Sequence, residues 1–364
     1  MEADFSKSPK PAGRAGGKTK RFPSMNKNKG KREKAMKQEG YLAGVDLGAT
    51  TIKAGILNEK LELIGKARTL TPAGKGGEAL TAALWQTVLL ACRQAGVSEK
   101  LLMSVGVGCP GSVDQKSGRL LHACNLSLID DDFSGRLEGL CRRPVYLEND
   151  GNCALLGEWK KGAAAGFSQA VMLTLGTGIG GGILVDGKLY RGFNGFGGEV
   201  GHMVVQADGP LCSCGRRGCF EVYASASGLI RMTRQAMKED RDSLMWKLCG
   251  GDLLKADGTT PFLGLQQKDE AARRTVTLFL KYLAVGVTNI INLFQPEALV
   301  IGGGVGRQGE ALLGPLRRLV AEQVYSRYGG AQTKILSSAL GDDAGIIGAG
   351  LLGKENGSYE MSVL

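Results

Sequence analysis

Hydrophobic and polar positions change their spacing several times along the chain after its first forty residues. Short apolar runs at 41–45, 51–57 and 61–70 are separated by turns that contain Gly or Asn, which predicts three strands in an antiparallel meander. Apolar positions at helical spacing over 77–96 predict a helix, and 103–108 predicts a short buried strand. This part of the chain is therefore expected to form strands first, then a helix and another strand.

A similar pattern returns further along the chain. Residues 175–178 align with residues 47–50 at an offset of 128. The turn-rich glycines at 180–182 then lead into a predicted strand at 183–185. The repeated hairpin indicates that the chain contains two similar halves.

The rest of the chain alternates between helices and strands. The predicted elements are a long helix over 269–294 that ends before Pro296, a strand at 298–301, a helix over 310–324, a strand over 333–340 and a Gly/Ala-rich helix over 343–352. Alternation of this kind predicts an α/β protein with mixed sheets. We expect two α/β lobes with a cleft between them.

Composition adds limits to this prediction. Gly accounts for 57 of 364 residues and Pro for 10, which predicts many tight backbone turns and excludes collagen. No apolar run approaches the roughly 18 residues that cross a bilayer, so we expect no membrane-spanning segment. An odd number of cysteines, nine, without an export signal predicts a reducing cytoplasm rather than a disulfide framework.

The net charge of +11 comes mostly from the first forty residues. Residues 1–40 hold twelve Lys and Arg against four Asp and Glu, and they contain no Leu, Ile or Val. Such a segment cannot bury enough apolar surface to offset the entropy of ordering, so a disordered basic tail is expected. A solubilising extension is favoured over contact with nucleic acid, because no helix-turn-helix pattern accompanies the charge.

The glycines at 176–181 satisfy the dinucleotide fingerprint G-x-G-x-x-G in form. That fingerprint requires a helix directly after the glycines, and here a strand is predicted instead, which disfavours an NAD oxidoreductase. A glycine hairpin still brings backbone N–H groups within reach of anionic oxygens. Gly176, Thr177 and Gly178 are therefore candidate phosphate-binding residues.

The first hairpin has the same design with polar additions. Asp46 can hold Mg²⁺ or its waters, Thr50 and Thr51 add hydroxyl donors, and Lys53 adds a positive charge near Gly48. Alone, this sequence is also an ordinary polar hairpin turn. Two such hairpins, together with Gly302, Gly303 and Gly304 after a third strand, favour a nucleotide as the ligand.

Glu148, Asn149, Asp150 and Gly151 follow a predicted strand. Asn-Asp-Gly is a strong turn sequence, so the residues alone favour a simple turn. The functional alternative makes Asp150 a general base at the end of a strand that faces a cleft.

A histidine and three cysteines form the strongest local signal. His202, Cys212, Cys214 and Cys219 supply one imidazole and three thiolates, which complete a closed tetrahedral shell for a structural zinc ion. Glu199 and Glu221 flank this cluster, and they are either exposed carboxylates without a task or rigid acceptors for the hydroxyl groups of a polyol.

These motifs together resemble the ROK group of bacterial sugar kinases and related repressors, and the resemblance spans residues 44 to 350. The matching segments are 46–50, 106–111, 125–126, 148–150, 175–182, 197–202 and 212–221. The resemblance implies a two-lobed, actin-like (ribonuclease-H-like) sugar kinase fold with mixed sheets and an interlobe cleft.

The resemblance also implies roles for single residues. Asp150 takes the proton from the sugar hydroxyl that attacks the γ-phosphate of ATP. Sugar hydroxyl groups are assigned to Asn149, Glu199, His202 and Glu221, with Gly111 and Asn125 as lesser candidates. The hairpins at Asp46 and Gly176 hold phosphates with Mg²⁺, and Gly302 to Gly304 approach the nucleoside. His202 both ligates zinc and touches the sugar.

The implied activity is transfer of phosphate to the 6-hydroxyl of a hexose, first of all glucose. Fructose, N-acetylmannosamine and N-acetylglucosamine are alternative substrates, and a sugar-responsive repressor is the alternative outside the enzymes. We expect a cytoplasmic homodimer that binds hexose and nucleotide, without membrane or specific nucleic-acid binding. The expected division is a tail (1–40), a small lobe (41–152) completed by about 343–364, and a large lobe (153–342) with the zinc loop.

Overall fold

The computed structural model describes residues 40–359, except for the side chains of Cys124 and of residues 355–359. The expectations for the basic tail therefore lie outside the described residues. The strands are β1 (Tyr41–Leu47), β2 (Thr51–Leu57), β3 (Leu63–Leu70), β4 (Leu102–Cys109), β5 (Ser112–Asp114), β6 (Arg119–Ala123), β7 (Leu128–Asp131), β8 (Val145–Asn149), β9 (Ala170–Leu175), β10 (Ile179–Val185), β11 (Lys188–Leu189), β12 (Ala298–Gly302) and β13 (Lys334–Ser337).

The α-helices alternate with these strands. They are α1 (Gly76–Ala95), α2 (Phe133–Cys141), α3 (Asp150–Lys161), α4 (Phe220–Ala224), α5 (Ala226–Glu239), α6 (Leu244–Leu248), α7 (Thr260–Gln266), α8 (Glu270–Phe294), α9 (Gly303–Gly306), α10 (Glu310–Gln323) and α11 (Ala344–Tyr359). The predicted α/β class with mixed sheets is confirmed.

The first sheet has the strand order β3-β2-β1-β4-β8. β1, β2 and β3 form the predicted antiparallel meander, and β4 and β8 continue the sheet in parallel from β1. The buried faces of α1 and α2 pack on this sheet through leucines and Phe133. A small antiparallel sheet, β5-β6-β7, is inserted between β4 and α2, and no sequence pattern that we identified predicts it.

The second sheet repeats the topology of the first. Its order is β11-β10-β9-β12-β13, with an antiparallel meander from β9 to β11 and parallel pairing of β9 with β12 and of β12 with β13. The predicted duplication is therefore confirmed at the level of topology. We refer to the parts of the chain built on these sheets as the first half and the second half.

Two predicted segments differ from the structure. Glycines 180–182 do not form a turn, because they belong to β10 and pair with β9. Gly182 is required because β10 passes close to α3: a Cβ there would lie 2.7 Å from the carbonyl oxygen of Gly151. The strand predicted at 333–340 ends at Ser337, because the following residues leave the sheet to bond with the carboxylate of Glu158.

α8 forms the centre of the second core. Phe279, Leu283 and Val287 are fully buried there against β9, β12 and α10. By length and composition alone, α8 is apolar enough to cross a bilayer, contrary to our expectation from the sequence. Burial of its apolar face within this core accounts for that composition without a membrane.

α3 and α11 approach each other at backbone distance at two points. A Cβ on Gly348 of α11 would overlap the carbonyl oxygen of Cys153, and a Cβ on Gly157 of α3 would overlap that of Ala344. On its other side, α11 lies directly on β1 and β4, where Gly44 and Gly106 leave the same kind of space. The predicted Gly/Ala-rich helix is thus confirmed, and its small residues permit backbone contact on both sides.

Gly348→Ala is expected to lower the free energy of unfolding by about 1–3 kcal/mol, because the new methyl group forces α3 and α11 apart. Chemical denaturation of the purified variant measures this change. Gly139→Ala in α2 is the matched control, since its Cβ would meet nothing within 4 Å. Helix propensity predicts a gain of up to about 1 kcal/mol for the control. Equal stability of Gly348→Ala and wild type would contradict the packing argument.

Candidate active site

Asp150 lies at the junction between a strand and a helix. β8 ends at Asn149, and α3 begins with Asp150. The side chain of Asn149 caps the helix by accepting hydrogen bonds from the N–H groups of Gly151 (2.8 Å) and Asn152 (3.2 Å). The prediction of a simple turn at these residues is therefore wrong, because Asn149 caps a helix and does not belong to a hairpin turn.

Asp150 has an unusual electrostatic environment. The pKa of Asp150 is raised from the usual value near 4 to about 7. Burial of the carboxyl group is the largest cause, and the negative charges of Asp46 and Glu199 add to it. A hydrogen bond from the N–H of Gly151 opposes this shift only in part. A carboxyl group with a pKa near neutrality is well suited to accept a proton from a substrate. Asp46 comes from the first half and Glu199 from the second half, so Asp150 faces both.

The first predicted phosphate hairpin connects β1 and β2. The Nζ atom of Lys53 lies 3.1 Å from Oδ2 of Asp46, and both side chains are partly exposed. The turn is closed by a hydrogen bond from the N–H of Gly48 to the carbonyl of Thr51, and Thr50 is exposed at its tip. The hairpin thus presents one acidic and one basic group that are both partly exposed.

The second hairpin connects β9 and β10, as predicted, and a strand follows its glycines. The dinucleotide interpretation is therefore excluded by the missing helix. Thr177 and Gly178 lie in the turn, after Gly176. Gly303 has a φ of +78° and packs against the backbone of Leu175, which brings the predicted nucleoside turn beside this hairpin.

The N-terminus of α3 lies against the second hairpin. A Cβ on Gly151 would lie 2.5 Å from the carbonyl oxygen of Gly181 in β10. Asp150, the residue before Gly151, is therefore held next to the glycine-rich strand while its charge interacts with Asp46. The structure brings the candidate base between the two predicted phosphate hairpins.

Glu221 links the cysteine cluster to the same hairpin. Its Oε2 accepts a hydrogen bond from the N–H of Ile179 (3.0 Å), and its Oε1 lies 3.8 Å from Sγ of Cys212. Burial raises the pKa of Glu199, and the charge of Glu221 contributes to that shift. These two predicted sugar-binding carboxylates are thus electrostatic neighbours.

The ligand atoms of His202, Cys212, Cys214 and Cys219 all lie within 4.8 Å of one another. Nδ1 of His202 is 3.6 Å from Sγ of Cys212, and the Sγ atoms of Cys214 and Cys219 are 3.7 Å apart. A tetrahedral zinc ion with bonds of about 2.3 Å to sulfur and about 2.0–2.1 Å to nitrogen requires separations of about 3.6–3.8 Å. The donor set and these two separations fit that metal.

The remaining predicted sugar residues lie on the first half. Gly111, at a φ of +90°, accepts a hydrogen bond from Nδ2 of Asn149 (3.3 Å), which brings these two residues together. Asn125 lies in a 3₁₀ turn after β6 and is exposed. Among the residues that the structure describes, no hydrogen bond joins Asn125 to the other candidates.

Sequence reasoning missed two buried carboxylates. Glu148 is bonded to Arg191 and to three further donors, and Glu158 accepts backbone N–H groups from two separate segments. The signal for Glu148 is its place directly before Asn149 and Asp150, a segment in which the sequence assigns no role to Glu148 itself. Glu158 gave no comparable signal, because a single Glu in an amphipathic helix normally faces water.

Comparison with known proteins places this site in context. A profile described as the ROK family matches residues 42–356. The chain belongs to the ROK family. Among relatives, a glucokinase of Thermotoga maritima is 38% identical over 315 residues, which are 86% of this chain and 97% of that protein. A xylose repressor of Bacillus subtilis is 30% identical over 312 residues, 86% of this chain and 76% of the repressor.

A solved structure supports the same assignment of the fold. A ROK family glucokinase from Streptomyces griseus, in complex with glucose and AMPPNP, has a TM-score of 0.79 and 32% identity. The match covers 87% of this chain and all of that chain. The fold of the described residues is accordingly the actin-like, two-lobed α/β fold with mixed sheets.

The raised pKa of Asp150 predicts a pH-dependent stability. The folded chain binds this proton more tightly than the unfolded chain, so the wild type loses stability as the pH rises from about 4 to about 7. Asp150→Asn lacks this loss. Its free energy of unfolding should rise relative to wild type between about pH 4 and about pH 7, as measured by urea denaturation. A difference that stays constant over this range would contradict the burial argument.

Proposed function

We propose that this protein is an ATP-dependent hexose kinase that converts glucose to glucose 6-phosphate, with Asp150 as the catalytic base. The observation that carries the proposal is the placement of Asp150, with a pKa of about 7, between two glycine hairpins and beside Glu199. The glucokinase relatives and the Streptomyces griseus complex with glucose and AMPPNP support the same activity.

In this mechanism, Asp150 accepts the proton of the sugar 6-hydroxyl while the hydroxyl oxygen attacks the γ-phosphorus. The bond to the leaving oxygen of ADP breaks, and the proton remains on the Asp150 carboxyl group. The neighbouring charges of Asp46 and Glu199 favour this protonated product. Proton transfer to a positioned base contributes about 10²–10⁴-fold to the rate in enzymes generally.

Charge neutralisation is the larger requirement of phosphoryl transfer. Backbone N–H groups near Gly48 and Gly176 would contact phosphate oxygens, and Lys53 would add a positive charge. Asp46 and its hairpin fit a magnesium ion or its waters, since a carboxylate is the ligand that this ion prefers; magnesium there would neutralise phosphate charge. Gly302, Gly303 and Gly304 would lie along the nucleoside, where an absent side chain permits close approach.

Sugar recognition falls to residues from both halves. Asn149 and Gly111 are joined by a hydrogen bond on one side, and Glu199 and Glu221 are electrostatic neighbours on the other. His202 turns Nδ1 toward Cys212, so Nε2 remains for a sugar hydroxyl. Asn125 is retained as the least supported member of this set.

The cysteine cluster would hold a structural zinc ion. Its four donors leave no open position for a substrate or water, which is the arrangement of structural rather than catalytic zinc. Because Cys212 also lies next to Glu221, zinc would fix the carboxylate that reaches the second hairpin. The metal would thereby hold part of the sugar site in place.

A repressor is the competing function, since repressors are among the relatives. The kinase is favoured because Asp46 and Asp150 lie close enough for their charges to interact, and sugar sensing alone requires no such pair. We keep the division into lobes at 41–152 and 153–342, the homodimer and the cytoplasmic location as proposals. The preferred hexose and phosphoryl donor follow from comparing turnover with different sugars and donors.

ADP release in the presence of glucose, fructose, N-acetylmannosamine and N-acetylglucosamine tests the activity, with ATP, GTP and polyphosphate as donors. We expect the highest kcat/KM with glucose and ATP. Asp150→Asn should lower kcat about 10²–10⁴-fold while the KM for glucose changes little, since the amide keeps the shape but cannot accept the proton. Full activity of Asp150→Asn, or sugar-dependent binding to DNA without turnover, would reject the kinase.

Metal analysis tests the zinc assignment. Wild type should contain about one zinc per chain, and Cys214→Ser should lose it together with glucose affinity, because the cluster no longer holds Glu221. Cys141→Ala is the control, since Cys141 is a free thiol in the first half, outside the cluster. A zinc-free wild type with full activity would refute this role.

A further inference from the structure

Glu148 is a buried carboxylate near the end of β8, and it is saturated with donors. Its Oε2 accepts from Nε of Arg191 (2.7 Å) and from Nε2 of Gln115 (2.6 Å). Its Oε1 accepts from the N–H of Asn149 (2.9 Å) and from Nδ2 of Asn152 (2.9 Å). The Glu148 side chain is 3% exposed, so this charge depends on its partners rather than on water.

Arg191 comes from the other half of the chain. It follows β11 in the second sheet, and its side chain reaches across to Glu148 at the end of the first sheet. Its own carbonyl oxygen accepts a hydrogen bond from the N–H of Gly197 (2.9 Å), and Glu199 follows two residues later. A short path of bonds therefore connects Glu148 with Glu199.

The segment between these residues also touches the first half. A Cβ on Gly195 would lie 3.3 Å from the carbonyl oxygen of Val113 in β5. Phe193, at the outer end of the segment, is fully exposed. Residues 190–199 thus contact the first half. The ion pair of Arg191 with Glu148 is the charged contact that holds the beginning of this segment.

We propose that Arg191 is a positioning residue for the sugar: its ion pair with Glu148 holds segment 190–199, and with it Glu199, in place opposite Asp150. This inference rests on the proposed function, because it gives Glu199 a sugar hydroxyl and Asp150 the attacking one. Glu148 is two residues before Asp150. Its carboxylate therefore bonds to Asn149 and Asn152 on either side of the catalytic base, and to Arg191 at the beginning of segment 190–199.

The size of the effect follows from burial. Glu148 is buried and Arg191 is partly exposed, so removing Arg191 leaves a buried carboxylate without its cation, which costs more than breaking an exposed pair. Segment 190–199 would then shift to relieve Glu148. A displacement of about 1 Å at a positioning group can cost about 10²-fold, and here the displaced group is Glu199, which binds the sugar in the proposed function. The second hairpin meets segment 190–199 through its strand β10, where a Cβ on Gly181 would lie 3.0 Å from the carbonyl oxygen of Gly198. The phosphate-binding turns at 48–50 and 176–178 make none of these contacts among the described residues, so the larger effect should fall on the sugar.

Steady-state kinetics and calorimetry of Arg191→Met test the inference. We expect the KM for glucose to rise about 10–10²-fold and glucose binding to weaken by the same factor, while the KM for ATP and the affinity for AMPPNP change less than about threefold. Arg191→Lys should recover part of the glucose affinity, because it restores the charge without the planar fork.

Arg317→Met is the matched control. Arg317 forms an ion pair with Glu310 at 2.8 Å on α10. Glu310 is exposed, and Arg317 is partly exposed and also donates from Nε to the carbonyl oxygen of Ile335 in β13. It should leave both KM values unchanged. In a double-mutant cycle, Glu148→Gln as a single substitution should raise the KM for glucose. In the Arg191→Met background it should add little, since both substitutions act through one contact.

The outcomes separate the two proposals. An equal rise of both KM values, or a lower kcat with unchanged glucose affinity, would show a merely structural role for Arg191 and overturn the inference. A wild-type protein without hexose kinase activity would overturn the proposed function instead. In that case, glucose titration of wild type and Arg191→Met still shows whether Arg191 sets sugar affinity.

Discussion

The approach of α3 to its neighbours at backbone distance is the constraint on which the site depends. Gly151 contacts the backbone of Gly181 in the second sheet, and Gly157 contacts α11, which itself lies on the first sheet. Side chains in these gaps would let the halves settle at several separations through rotamer changes. Direct backbone contact removes that freedom, so the distance from Asp150 to either hairpin is set by the main chain.

The same placement works against folding at neutral pH. The first turn of a helix favours a charged carboxylate, and the N–H of Gly151 bonds to Asp150 accordingly. Burial and the charges of Asp46 and Glu199 outweigh this and raise the pKa to about 7. A group that is only half ionised near neutrality destabilises the fold but exchanges protons readily. Such opposition between stability and activity is expected at an active site.

The sequence predicted those features that local chemistry determines. The meander, both hairpins, the strand after the second hairpin and the cysteine cluster follow from periodicity, turn residues and ligand type. Contacts between distant residues were not predictable. Phe220 fits against α8 only because Gly286 lies opposite it, and Arg191 meets Glu148 only because segment 190–199 leans on the first half. Neither pairing leaves a periodic trace, since each depends on how separate elements meet.

Two buried glutamates extend the argument from Asp150 to the whole of α3. At its N-terminus, Glu148 joins the strand before the base to Arg191 on the sugar side. Near its C-terminus, Glu158 accepts the N–H groups of Ala339 and Leu340, directly after Ser338, which packs against Gly302 on the nucleotide side. Apolar residues at these two positions would pack without fixing a direction. Because both carboxylates are satisfied by donors from other elements, α3 cannot slide along its axis without breaking charge-assisted hydrogen bonds at both ends.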